Sequence, residues 1–165
     1  MTYIDENNCI HYVCGFAMCL PTLQNKLKNT EMVLIRKIKG PAGMAGKLNG
    51  VGGKLDVGET PHEAQTREFL EETGVLVKPD RWLLFRVEKF TPEHTSQKLG
   101  AVVFFFSAEL TLEEVKSVKT TTGETVLLIA QNLLHEVKDP MQSNLSYLIP
   151  MARAILDGLI EQIKH

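Results

Sequence analysis

Gly50-Val-Gly-Gly-Lys-Leu-Asp-Val-Gly-Glu-Thr-Pro-His-Glu-Ala-Gln-Thr-Arg-Glu-Phe-Leu-Glu-Glu-Thr-Gly-Val75 divides into a glycine-rich loop and a helix. Thr60-Pro61-His62-Glu63 supplies an N-cap threonine, a proline at the first helical position and a glutamate three residues after the cap, the pattern of a capping box. Gly74 offers the left-handed stop, so the spacing predicts a helix over Pro61 to Thr73. On it Glu68, Glu71 and Glu72 stand at i, i+3 and i+4, which puts three carboxylates on one face within about 5–6 Å of each other. Glu71 and Glu72 also fall in the last turn, where the helix dipole disfavours anions by about 0.3–1 kcal/mol each. The pairs Glu63–Arg67 and Arg67–Glu71, each at i, i+4, are expected to ease this repulsion. A bound divalent cation would remove it.

The loop fits neither of the common phosphate cradles. Gly46-Lys47 and Gly53-Lys54 have Pro41 and Leu48 where a P-loop needs its first glycine, and no Ser or Thr follows either lysine; Gly50-Val-Gly52-Gly lacks the last glycine of a dinucleotide fingerprint. Charge is distributed unevenly around it. From Lys26 to Lys54 there are seven basic residues and one acidic, and from Leu55 to Val75 six acidic and one basic. Such a junction suits a site that holds cations and a polyphosphate together. Mg²⁺ in particular favours a few carboxylates, waters and phosphate oxygens.

Outward from this stretch, His11 to Leu20 and Met32 to Ile38 read as strands, joined by a polar connection. The intervening glycines, Gly40 to Gly53, exclude regular helix. Trp82 to Phe90, Ala101 to Leu110 and Thr125 to Ala130 read as further strands, and the run Val102-Val-Phe-Phe-Phe106 implies cover on both faces. Ala152, Ile155, Leu156, Leu159 and Ile163 recur at helical spacing, with Pro150 in that helix's first turns or kinking it. Trp82 and Phe104 to Phe106 are expected in the core. Strands alternating with helices and no linker-like tract give one α/β layered domain over residues 1–165.

Gly53, five residues, Glu59, seven residues, then Arg67-Glu68-Phe69-Leu70-Glu71-Glu72-Thr73-Gly74-Val75 resembles the Nudix box G-x5-E-x7-R-E-U-x-E-E-x-G-U at every fixed position. The resemblance implies a Nudix-type α/β/α sandwich with a mixed β-sheet. It also implies divalent-metal-dependent hydrolysis of a nucleoside diphosphate linked to a further moiety. By position, it makes Glu68, Glu71 and Glu72 metal-binding glutamates and Gly52 the glycine whose carbonyl joins them, with Mg²⁺ or Mn²⁺ as cofactor. Arg67 and Glu59 orient the loop and helix, and Lys54 is expected to neutralise phosphate. For the general base, Glu68, Glu113, Glu114 and Glu124 are candidates; Glu68 is favoured because a helix positions it.

Lys47-Leu-Asn49-Gly50-Val-Gly52-Gly53-Lys54 is similar to the W-N-G-F-G-G-K stretch of oxidised-purine nucleoside triphosphatases, with Leu48 in place of tryptophan. The likeness implies Asn49 as base reader. Asn132 resembles in placement an asparagine that bacterial MutT proteins use for that task, and Glu124 stands where the oxidised-purine group carries acidic base contacts. A side-chain amide donates and accepts at once, as a purine edge requires. The resulting expectation is a pyrophosphohydrolase releasing monophosphate and pyrophosphate from purine nucleoside triphosphates, including 8-oxo-dGTP-like ones. The alternatives are a pyrophosphatase for ADP-ribose or another nucleoside diphosphate derivative, which Pro92 would mark, and a non-catalytic nucleotide sensor.

A net charge of −2 argues against a dedicated nucleic-acid surface. The absence of an apolar run of about 20 residues argues against a membrane span. Cys9, Cys14 and Cys19 contain no C-x-x-C pair and are expected as reduced thiols near an early strand. The N-terminus shows no secretory pattern, so a cytoplasmic protein is expected, acting as monomer or homodimer on a small nucleotide.

Overall fold

The computed structural model describes residues 1–38, 44–95, 98–138 and 140–163. Lys39, Gly40, Pro41 and Gly43 of the basic, glycine-rich stretch lie outside the described residues.

Strand β1 (Cys9–Cys19) is the axis of the sheet. One of its edges pairs in parallel with β5 (Gly100–Glu109), from Cys9 opposite Gly100 to Met18 opposite Glu109. The other edge is shared. Ala17 to Cys19 pair antiparallel with β2 (Glu31–Arg36), whereas the half nearer the N-terminus carries isolated bridges to the loop after β3 (Leu48–Asn49), Gly15 with Val51 and Tyr12 with Lys54. Strand β4 (Leu83–Phe90) lies antiparallel on the far side of β5, and β6 (Thr125–Ala130) runs antiparallel along the whole of β2, Arg36 opposite Thr125. The six-stranded sheet is therefore mixed.

Alternation along β1 and β5 builds two cores. On one face Val13, Ala17, Phe104 and Phe106 pack with Trp82 and with Ala64 and Phe69 of α1 (Pro61–Thr73). On the other, Phe16, Met18 and Phe105 meet Leu145, Leu148, Ile149, Ala152 and Ile155 of α4 (Leu145–Leu156). Helices on opposite faces make the expected α/β/α sandwich, with Trp82 and the Phe104 to Phe106 run buried as the sequence reading expects. The three cysteines are buried, reduced and all on β1.

Helix α1 has the predicted bounds, with both hydrogen bonds of the Thr60/Glu63 capping box formed and Gly74 at φ 72°. Three details differ from the sequence reading. The C-terminal helix ends at Leu156, so Leu159 and Ile163 fall beyond it, and Pro150 sits in its interior. A six-residue helix α3 (Leu112–Ser117) is new; its own capping box, Thr111 with Glu114, was the available signal, but one buried residue, Val115, gives no readable period. Pro92 opens the single-turn α2 (Pro92–Thr95) between β4 and β5. Among the described residues no helix is long and apolar enough to cross a membrane.

Candidate active site

The loop after β3 is held as if it were a strand. Val13 N–H donates to the Gly53 carbonyl at 2.9 Å, Gly15 N–H to Val51 at 2.7 Å, and Leu55 N–H to His11 at 2.9 Å. This close approach is why glycine stands there. A Cβ on Gly52 would lie 2.1 Å from the Val13 carbonyl oxygen, and one on Gly53 2.4 Å from Glu68 Oε1. Buried Gln65 of α1 donates to the Val51 carbonyl at 3.1 Å, tying loop to helix.

Arg67 adds a second tie. Its Nε and Nη2 grip Glu59 at 2.7 and 3.0 Å, Nη2 also reaches the Lys54 carbonyl at 3.0 Å, and Nη1 donates to Glu68 at 2.9 Å. Glu71 is only 3.5 Å from Nη1 and its side chain is 56% exposed. The expected Glu63–Arg67 pair is corrected: Glu63 bends back to the Thr60 N–H at 2.8 Å, because the cap satisfies an otherwise orphaned donor.

Glu72 faces the other way, into the fold. The Lys37 ammonium, 13% exposed, lies 3.2 Å from Glu72 Oε1, 2.7 Å from the Gly52 carbonyl oxygen and 3.1 Å from Glu124 Oε2. Glu124 is brought in by the β2–β6 register, and its other oxygen accepts from Ile38 N–H at 3.2 Å. Two cations thus separate the glutamates that helix spacing groups together: Arg67 draws Glu68 and Glu71, and Lys37 draws Glu72. Accordingly no three His, Cys, Asp or Glu side chains among the described residues form a ready cage. The Glu72 Oε2 is buried with no hydrogen-bond partner.

Burial pushes the Glu72 carboxyl up to about 7, against the pull of Lys37, while Glu124 and Glu68 push further the same way. Burial alone would lower Lys37, but Glu72 and Glu124 outweigh it and hold the ammonium above its ordinary value. The two shifts thus have different leading causes: lost hydration raises Glu72, and neighbouring carboxylates raise Lys37 in spite of its own burial. Glu68 is also raised by burial, with Arg67 opposing.

The carbonyl, carboxylates and cation converge where the glycine loop, α1 and β6 meet. The family model described as NUDIX domain matches residues 17–142. The chain belongs to the NUDIX domain family. The "8-oxo-dGTP diphosphatase" of Escherichia coli (strain K12) is 32% identical over 105 residues, covering 64% of this chain and 76% of that protein. The "Oxidized purine nucleoside triphosphate hydrolase" of Danio rerio is 38% identical over 71 residues, covering 43% of this chain; the match spans only 35% of that relative's length. Among solved structures, the MutT protein from Methanosarcina mazei Go1 superposes with a TM-score of 0.62 at 17% identity, covering 91% of this chain and 97% of that one.

Around this Nudix centre the remaining candidate residues are distributed unequally. Asn49 is buried on β3; its Oδ1 accepts from Gly50 N–H at 2.9 Å and lies 3.7 Å from Cys14 Sγ. Among the described residues its Nδ2 donates to no protein group. Lys54 is exposed. Asn132, exposed in the 3-10 turn after β6, lies beyond Ala130, at the end of β6 opposite to Glu124, so the structure does not bring it to the cluster. Glu114 is likewise removed from the site: it pairs with Arg81 at 2.5 Å and caps α3. Glu113 lies beside it on α3. Sequence reasoning missed Lys37. Its one signal was a lysine following Arg36 just past the apolar run Met32 to Ile35.

Proposed function

We propose that this chain is a divalent-metal-dependent pyrophosphohydrolase that converts purine nucleoside triphosphates, oxidised purines among them, to the monophosphate and pyrophosphate. Hydrolysis of nucleotide pyrophosphate bonds follows from its family. The observation that supports the metal-dependent chemistry is the meeting of the Gly52 carbonyl, Glu72 and Glu124, from three separate segments, around one cationic centre, while the purine substrate rests on similarity to the two relatives. The donor set fits Mg²⁺ or Mn²⁺: all are hard oxygens, one of them, Glu72 Oε2, is buried without a partner, and a positive charge already sits among them.

Gly52, Glu68, Glu71 and Glu72 would hold the ion, with Glu124 joining from just before β6. Bound there, a divalent cation would supply charge to neutralise phosphate oxygens and to acidify a water. Glu68, fixed by Arg67 and raised by burial, takes that water's proton as its oxygen adds to phosphorus and the α–β anhydride bond breaks. Arg67 holds loop and helix in register, and Lys54, free of ion pairs among the described residues, meets the phosphate chain. The Asn49 amide reads the purine, its uncommitted Nδ2 donating to the base. This base-reading role is supported by the similarity to the two oxidised-purine relatives.

Incubation with Mg²⁺ and a panel of canonical and oxidised dNTPs, ADP-ribose, NADH, dinucleoside polyphosphates and capped RNA, with product identification, tests the reading. Purine triphosphates should yield monophosphate and pyrophosphate. Activity confined to ADP-ribose would replace this reading, and binding without turnover across the panel would favour a sensor.

A further inference from the structure

Lys37 holds the position a divalent cation would need. Its ammonium is in reach of oxygens from three segments, the Gly52 carbonyl, Glu72 Oε1 and Glu124 Oε2, and it is largely shielded from water. The Gly52 carbonyl and Glu72 are also two of the groups to which the metal reading above assigns the ion. An ammonium and a divalent ion cannot share these oxygens, since both would sit within a few ångströms of each other in a poorly screened site. Arg67 is placed differently: it contacts Glu68 and, at 3.5 Å, Glu71, but it is anchored on Glu59 and the Lys54 carbonyl and touches neither Gly52 nor Glu72 in any of its hydrogen bonds.

Resting on that metal reading, we propose that Lys37 is an internal counter-cation that occupies the metal locus until a divalent ion displaces it. Without an ion, the ammonium keeps Glu72, Glu124 and the Gly52 carbonyl together at the junction of loop, helix and β6. When an ion enters, the lysine must swing out, and its four-carbon stem at the end of β2 permits this without moving the strand. The metal-free site is thereby preassembled, and metal affinity is lowered by the work of expelling the lysine.

The inference predicts that removing the positive charge at position 37 strengthens metal binding, whereas loss of an ordinary supporting residue would weaken it. Mn²⁺ binding to the purified protein, followed by the electron paramagnetic resonance signal of free Mn²⁺, tests this for the unmodified chain and for Lys37→Met, Lys37→Gln and Lys37→Arg. Met removes the charge at similar length, Gln keeps a hydrogen-bond donor should Met fold poorly, and Arg keeps the charge. Tighter binding by about tenfold in Met and Gln, corresponding to about 1.4 kcal/mol, with Arg close to the unmodified chain, is the expected result. Equal or weaker binding in Met and Gln, with the unmodified chain binding Mn²⁺ normally, overturns the competition and leaves the metal reading standing. Failure of the unmodified chain to bind Mn²⁺ at millimolar concentration removes the metal reading and this inference with it.

Discussion

Replacing Arg67 by alanine tests whether the loop is held to the helix by charge. The guanidinium makes a two-pronged contact with Glu59 at 2.7 and 3.0 Å, with further bonds to Glu68 and the Lys54 carbonyl, and its side chain is 30% exposed. Charge centres about 4 Å apart at an effective dielectric of about 20 attract by about 4 kcal/mol. Ordering two long side chains takes back about 2 kcal/mol, so Arg67→Ala should cost about 2 kcal/mol at neutral pH. For a chain of this length that is a fall of roughly 4–8 °C in Tm. The pH dependence has a definite sign. Hydrogen bonding from Arg67 holds the Glu59 carboxyl below its ordinary 4.5, so the pair's stabilisation is present above 4.5 and disappears as pH falls through the lower folded value. Urea unfolding of both proteins at pH 7 and in a series down to pH 3 should therefore show the difference shrinking at the acid end. Turnover should fall further than stability, by about a hundredfold, because Glu68 loses the donor that aims it. A stability difference that is the same at pH 7 and pH 3 would refute the ionic account, and unchanged kcat would refute the aiming role.

Glu72→Gln should abolish turnover, yet in EDTA at pH 8 the variant should be at least as stable as the parent. The carboxyl's folded value of about 7 exceeds the ordinary 4.5, so its contribution is fully present below 4.5 and lost as pH rises through 7, while the amide keeps the neutral form's shape; chemical denaturation at pH 5 and 8 measures it, and a variant less stable at pH 8 contradicts it. Gly52→Ala should destabilise by about 1–3 kcal/mol, since its Cβ meets the Val13 carbonyl backbone at 2.1 Å, and a thermal melt indistinguishable from the parent would show that the loop yields freely. Asn49→Ala should raise KM for purine triphosphates by about tenfold, the loss of one base-directed hydrogen-bond donor, while Asn132→Ala leaves kcat and KM unchanged; the opposite pattern in steady-state kinetics would move the base pocket to the other end of β6.

Local signals in the chain determined a good deal of this protein. Caps and stops at Thr60, Pro61 and Gly74 delimit α1 because helix ends are decided by neighbouring backbone and side-chain groups, and the unbroken apolar run in β5 announces cover on both faces for the same local reason. The spacing of Glu68, Glu71 and Glu72 likewise places them on one helix with no knowledge of the rest of the chain. Which way each carboxylate turns was not legible, because that depends on cations delivered from elsewhere. Lys37 is 35 residues from Glu72, and Glu124 is 86 residues from Ile38. They meet only because β6 lies along β2 with Thr125 opposite Arg36. A different register would carry Glu124 away from the glycine loop, just as the existing one carries Asn132 away. The chemistry of the acidic helix is written in sequence spacing, whereas its electrostatic partners are set by strand pairing, which sums weak contacts over the whole sheet and leaves no mark on any single stretch of residues.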